Sequence, residues 1–73
     1  MANKERIQYD ADAEAWTISQ GCQTYPLHCG ECFDLAIGAI WLPCRLEMDA
    51  NWYVLLKGTK LILHPRTIYA VRM

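Results

Sequence analysis

Four cysteines and two histidines are the residues of this 73-residue chain whose chemistry would be most distinctive if they met. Cys29-x-x-Cys32 has the spacing of half a tetrahedral zinc site, and Cys22, Cys44, His28 or His64 are the donors that would complete it. No second Cys-x-x-Cys and no His-x3-His pair follows, and the phase of its strand turns Cys44 toward the apolar side. The expectation is therefore ordinary reduced thiols and no cofactor, with zinc on Cys29 and Cys32 as the alternative. Dithiol redox chemistry needs the first cysteine at a helix N-terminus, where its pKa falls, whereas a strand follows here. His28 beside Cys29 invites a thiol–imidazole pair, but neighbours in an extended segment point in opposite directions. No Asp or Asn can be assigned to orient the ring. Catalysis is not expected, since a compact barrel of this size has little room for a cleft of roughly 300 Å³ or more.

Binding is the stronger lead. Trp41 falls out of phase with the inward residues of its strand and is placed on the outer face, with Tyr53 and either Trp16 or Tyr69 beside it. Rigid rings offer contact area at low entropic cost, so Trp41, Tyr53, His28 and Arg45 form the expected surface for a protein partner. The competing account has Trp41 half-covered by the connection at residues 20–30, as a second small core. Lys57, Lys60 and Arg66, with His64 between, are candidate phosphate contacts for nucleic acid. A solvated edge guarded by lysine explains the same residues, and a formal net charge of −1 favours the guard.

Composition bounds these options. The chain is 53% hydrophobic with three Trp and four Tyr, enough for one core near the lower size limit of a domain. Charge is divided: residues 1–36 set Lys4 and Arg6 against six acids, net −4, while residues 37–73 set five bases against Glu47 and Asp49, net +3. Folding brings the halves together, so the asymmetry reads as internal complementarity. The polar start MANKERIQYDADAEAW has no apolar leader segment, and no apolar run approaches the ~18 residues of a membrane span. A cytoplasmic location with no membrane contact is expected, which keeps the four cysteines reduced.

The elements that would position these residues are short strands. Arg6–Tyr9 and Trp16–Ser19 alternate and form a first hairpin across the acidic link DADAE, with a short helix there as the competitor. Residues 20–30 (QGCQTYPLHCG) hold two Gly and a Pro without a period, and read as one long, function-bearing loop. Phe33, Leu35 and Ile37 alternate; Gly38-Ala39 makes a type II′ turn; Ile40 to Met48 alternates across nine residues, with Cys44 inward and Pro43 at an edge or bulge. Asp49-Ala50-Asn51 turns with Asn51 at positive φ. Trp52–Leu56 is apolar on both faces, Gly58-Thr59 turns into Lys60–Leu63, His64–Thr67 forms a 3₁₀ turn, and Ile68–Met73 closes the sheet. The sum is one all-β domain over residues 1–73, with 1–5 as a tail. Its architecture is a small SH3-like barrel of five to six short antiparallel strands in meander order.

The run Leu27-His28-Cys29-Gly30-Glu31, then Trp41-x-Pro43-x-Arg45-x-Glu47, Trp52-Tyr53 and Val71-Arg72, resembles an uncharacterised family of small domains. That family, of unknown function, occurs in Firmicutes and in their phages and conjugative elements. The resemblance covers about residues 6–73 and implies an SH3-like barrel of bacterial or mobile-element origin. It brings no activity and no functional residue. The expected function is a non-catalytic, protein-binding interaction module, with a nucleic-acid-associated accessory protein or a zinc-stabilised domain as the alternatives.

Overall fold

A computed structural model describes residues 5–73. The first hairpin forms as the alternation requires: β1 (Glu5–Asp10) pairs with β2 (Ala15–Gln20), setting Ile7 opposite Ile18 and Tyr9 opposite Trp16. The link between them is a turn and not a helix, because Asp10 Oδ1 accepts the N–H groups of Asp12 at 3.0 Å and Ala13 at 3.3 Å. Glu5, expected in a tail, already belongs to β1; the rest of that tail lies outside the described residues.

The expected long loop at 20–30 is a second hairpin. Gly21-Cys22 is a two-residue turn, and β3 (Gln23–Pro26) pairs back on β2 with Gln20 opposite Gln23. Pro26 is compatible with a strand because β3 lies at the end of the sheet, where a missing N–H breaks no ladder. Leu27 then donates its N–H to Trp16 O at 2.8 Å and buries its side chain at the end of the core. Only residues 28–31 remain as a turn, closed by Glu31 N–H to His28 O at 3.2 Å, with Gly30 at φ 93° in the position that favours glycine.

β4 (Cys32–Ile37) and β5 (Ile40–Met48) meet through Gly38-Ala39, with Gly38 alone at positive φ, as a type II′ turn requires. β6 (Trp52–Leu56) and β7 (Thr59–Ile62) follow. Their turn is centred on Lys57-Gly58, one residue earlier than expected, and both residues have positive φ. Asn51 is not at positive φ; Asp49 closes that turn by accepting Asn51 N–H at 3.1 Å. After a β-turn closed by Thr67 N–H to His64 O, in place of the 3₁₀ turn, β8 (Tyr69–Arg72) enters the sheet between β1 and β4.

The result is all-β and antiparallel but not a closed five- or six-stranded barrel. It is an open eight-stranded sheet in the order β3-β2-β1-β8-β4-β5-β6-β7. The meander holds within each run, β1 to β3 and β4 to β7, and breaks where β8 joins the two. Among the described residues β3 and β7 remain as free edges, so barrel closure is not how this chain manages its ends. Pro26 on one edge and Lys60 on the other blunt them instead. One face of the curled sheet carries the core, made by Ile7, Trp16, Ile18, Phe33, Leu35, Leu46, Val54 and Val71. Tyr9 packs edge-on against Trp16 and Tyr69 packs against it at a tilt, with centroids 5.7 and 5.8 Å away. No helix long and apolar enough to cross a membrane occurs among the described residues.

Candidate functional site

Strand alternation decides which side chains face away from the core. On β4, Phe33 and Leu35 are buried and Asp34 is outward; on β5, Cys44 and Leu46 are buried while Trp41, Pro43 and Arg45 are outward. Val71 is buried and Arg72 outward on β8. Register then assembles the outer face: Arg72 stands opposite Asp34, Asp34 opposite Pro43, Cys32 opposite Arg45, and Arg45 opposite Leu55.

These side chains line an open depression of about 570 Å³, with Cys32, Asp34, Pro43, Arg45, Leu55 and Arg72 among its walls. A cleft of this size contradicts the expectation from a closed barrel, and incomplete pairing accounts for it. β6 follows β5 only from Arg45 to Met48, so among the described residues β5 has no partner on that side from Ile40 to Cys44, where Pro43 brings no N–H. Pro43 is thus locally at an edge, as its residue type demands. β8 follows β4 only at Asp34 and Leu35, so the tip of the β4–β5 hairpin extends beyond both neighbours. Ile37, Ile40 and Trp41 are exposed on that projecting ribbon.

Trp41 is outward, as its phase predicts, and 40% exposed. Its expected aromatic neighbours are elsewhere. Trp16 is fully buried, Tyr69 packs on Trp16, and Tyr53 sits opposite Glu47, six residues along β5 and so about 20 Å from Trp41. The partner of Trp41 is Arg72, whose Cζ lies 4.6 Å from the ring centroid, a cation–π contact. Arg72 is held there by Asp34, with Nε and Nη2 both directed at Oδ2 at 3.4 and 3.3 Å. Residues 20–30, largely consumed by β3 and its turn, do not supply the loop expected to meet Trp41.

Arg45, with its side chain half-exposed, places Nε 2.6 Å from Glu47 Oε2. His28 lies in the 28–31 turn, its N–H donated to Glu31 Oε2 at 2.5 Å and its Nδ1 3.4 Å from the same oxygen, so its visible role is to shape that turn. The three proposed phosphate contacts do not converge. Lys60 is committed to Asp49 Oδ2 at 2.7 Å and to the Tyr53 ring at 4.4 Å. Lys57 and Arg66 flank opposite ends of β7. The Lys60 ammonium, hydrogen-bonded to Asp49, holds that carboxyl below its ordinary pKa, and Asp49 raises the Lys60 pKa in return.

Cys22, Cys29 and Cys32 are exposed free thiols and Cys44 is buried. Among the described residues no three His, Cys, Asp or Glu side chains gather where they could hold a metal ion, so a set of four around Cys29 and Cys32 is not assembled. Burial first, and then the Asp34 and Cys32 charges, push the Cys44 thiol up to about 12.

The family described as a domain of unknown function (DUF5348) matches residues 5–73. The chain belongs to that family. The DUF5348 fold is also similar to the crystal structure of a protein from Ruminococcus gnavus, at 32% identity over 96% of this chain and 99% of that one, with a TM-score of 0.75. No functionally curated protein matches. Two of the residues that build this domain's outer face, Asp34 and Arg72, were missed by sequence reasoning. Alternation marks each as outward, but they are 38 residues apart in sequence and only the β4–β8 pairing brings them together.

Proposed function

We propose that this domain is a non-catalytic protein-interaction module of bacterial or mobile-element origin, working in the cytoplasm on a protein partner. Its site is the outer-face depression with Trp41 at the edge. The observation that supports this is the pinned geometry of Trp41. Arg72 stacks on its ring and Asp34 holds Arg72, so an exposed aromatic is already ordered beside a concave surface before any partner arrives. On the outer wall the exposed Cys32 thiol lies 3.9 Å from Gly30 O. Of the residues first assigned to binding, Trp41 and Arg45 remain in the site, whereas Tyr53 and His28 do not.

The test is retention of proteins from a bacterial lysate by the immobilised domain, with Trp41→Ala and Arg72→Ala as controls. Specific retention that both substitutions abolish is expected. Retention indifferent to both would overturn the reading. Retention of oligonucleotides at low salt, lost on replacing Lys57 and Arg66, would transfer the function to nucleic acid.

A further inference from the structure

We infer that Cys29 and Cys32 form a two-thiolate binding site for a soft, two-coordinate cation of the copper(I) class. Cys32 also lines the outer-face depression, but metal binding by the two thiols does not depend on what docks there.

The number of donors selects the metal. Thiolates are soft ligands and prefer soft cations, and a structural zinc site is closed by four ligands. Cys29 and Cys32 are both exposed free thiols, separated only by Gly30 and Glu31. Cys44 is buried, and Cys22 sits in the turn between β2 and β3. Among the described residues no third His, Cys, Asp or Glu side chain gathers with the pair. His28 does not complete a set, since its Nδ1 is turned to Glu31 Oε2 at 3.4 Å. Two thiolates without a third donor leave zinc short of ligands, whereas copper(I) is satisfied by two sulfurs in a line.

The backbone brings the two thiols within reach of one ion. Even fully extended, residues three apart have Cα atoms at most about 10 Å apart. The turn shortens this, because Glu31 N–H closes on His28 O at 3.2 Å. Two cysteine side chains, each with a metal–sulfur bond of about 2.3 Å, span such a gap. Cys32 already leans over the turn, with Sγ 3.9 Å from Gly30 O. Gly30 brings no side chain, and beyond its chain neighbours nothing lies within 4 Å of where a Cβ would stand. An ion held over Gly30 therefore meets open space. The segment is also anchored on β5, by Gly30 N–H to Leu46 O at 2.8 Å and Leu46 N–H to Glu31 O at 2.9 Å. Its backbone is thus ordered before the metal arrives. On binding, each S–H bond is exchanged for an S–metal bond and both protons pass to solvent.

The test is anaerobic titration of the reduced full chain with copper(I), then competition with bicinchoninate and X-ray absorption at the copper edge. One equivalent held by two sulfurs is expected. Cys29→Ser and Cys32→Ser should each weaken binding about a hundredfold or more, with Cys22→Ser unchanged. All three positions are exposed, and circular dichroism checks that each variant is folded. Copper binding that survives both Cys29→Ser and Cys32→Ser, or that needs Cys22, would overturn the two-thiol site. Failure to compete with bicinchoninate would overturn it as well. So would zinc retained at one ion per two chains with four sulfurs, which would make the pair half of a site between copies. None of these results alters retention of proteins through Trp41 and Arg72, so this site and the interaction module fail separately.

Discussion

Cys44 shows how a single position responds to its surroundings. Its thiol has an ordinary value of 9.0, which the fold raises to about 12, chiefly through burial. Below pH 9 both folded and unfolded chains keep the proton, and the preference of the fold for the neutral thiol is fully present. Above pH 9 the unfolded chain releases its proton while the folded one does not, so stability falls by about 1.4 kcal/mol per pH unit until the folded thiol titrates. Urea unfolding at pH 8 and pH 10 is expected to show this slope in the native chain and to lose Cys44's share in Cys44→Ala. A thiol reagent at pH 8 should modify Cys22, Cys29 and Cys32 in the folded protein and reach Cys44 only on unfolding. Trp16 carries a different burden: it is fully buried and its Nε1–H has no acceptor among the described residues. Trp16→Ala is expected to cost about 3–5 kcal/mol from lost burial and cavity formation. Trp16→Phe should cost markedly less, because it also removes an unsatisfied donor. Chemical denaturation of the two variants measures the difference.

Turns are where local chemistry sets the elements. Gly30 stands at φ 93° with open space where a Cβ would go, so Gly30→Ala pays for conformation alone, about 1–2 kcal/mol. Lys57 sits at φ 46° in the first central position of the β6–β7 turn, ahead of Gly58. Asn tolerates that region better, and Lys57→Asn is expected to raise stability by about 0.5–1 kcal/mol, read as a higher melting temperature. A fall on Lys57→Asn would mean the lysine makes a contact that outweighs its backbone strain. The hairpins from β4 to β7 were legible for the same reason that these turns are: glycine positions and period-two alternation act within a few residues. β3 was not legible, because Gln23–Pro26 is exposed at every residue and buries nothing that a pattern could register.

For the molecule as a whole, β8 is the strand that joins two hairpin units, pairing with β1 at Glu5–Ile7 and with β4 at Asp34–Leu35. Val71 opposes both Glu5 and Leu35 and is fully buried, so it packs at the seam. Val71→Ala is expected to cost about 2–3 kcal/mol. Tryptophan fluorescence and circular dichroism should still report one coincident transition, as for a small cooperative domain. Separate transitions would show that the units β1–β3 and β4–β7 fold independently. The same strand delivers Arg72 to Trp41 and Asp34, so the seam and the candidate site depend on one insertion.

The sequence by itself determined an all-β chain, the β1–β2 hairpin, the run from β4 to β7, the inward Cys44 and the outward Trp41. Each follows from side-chain alternation and turn residues, which operate locally. Only the tertiary structure decided that the sheet stays open, that β8 lies between β1 and β4, and that Trp41 is paired with Arg72 and not with Tyr53. Those outcomes depend on pairing between strands distant in the chain. Alternation specifies which face a residue occupies but not which strand will lie beside it.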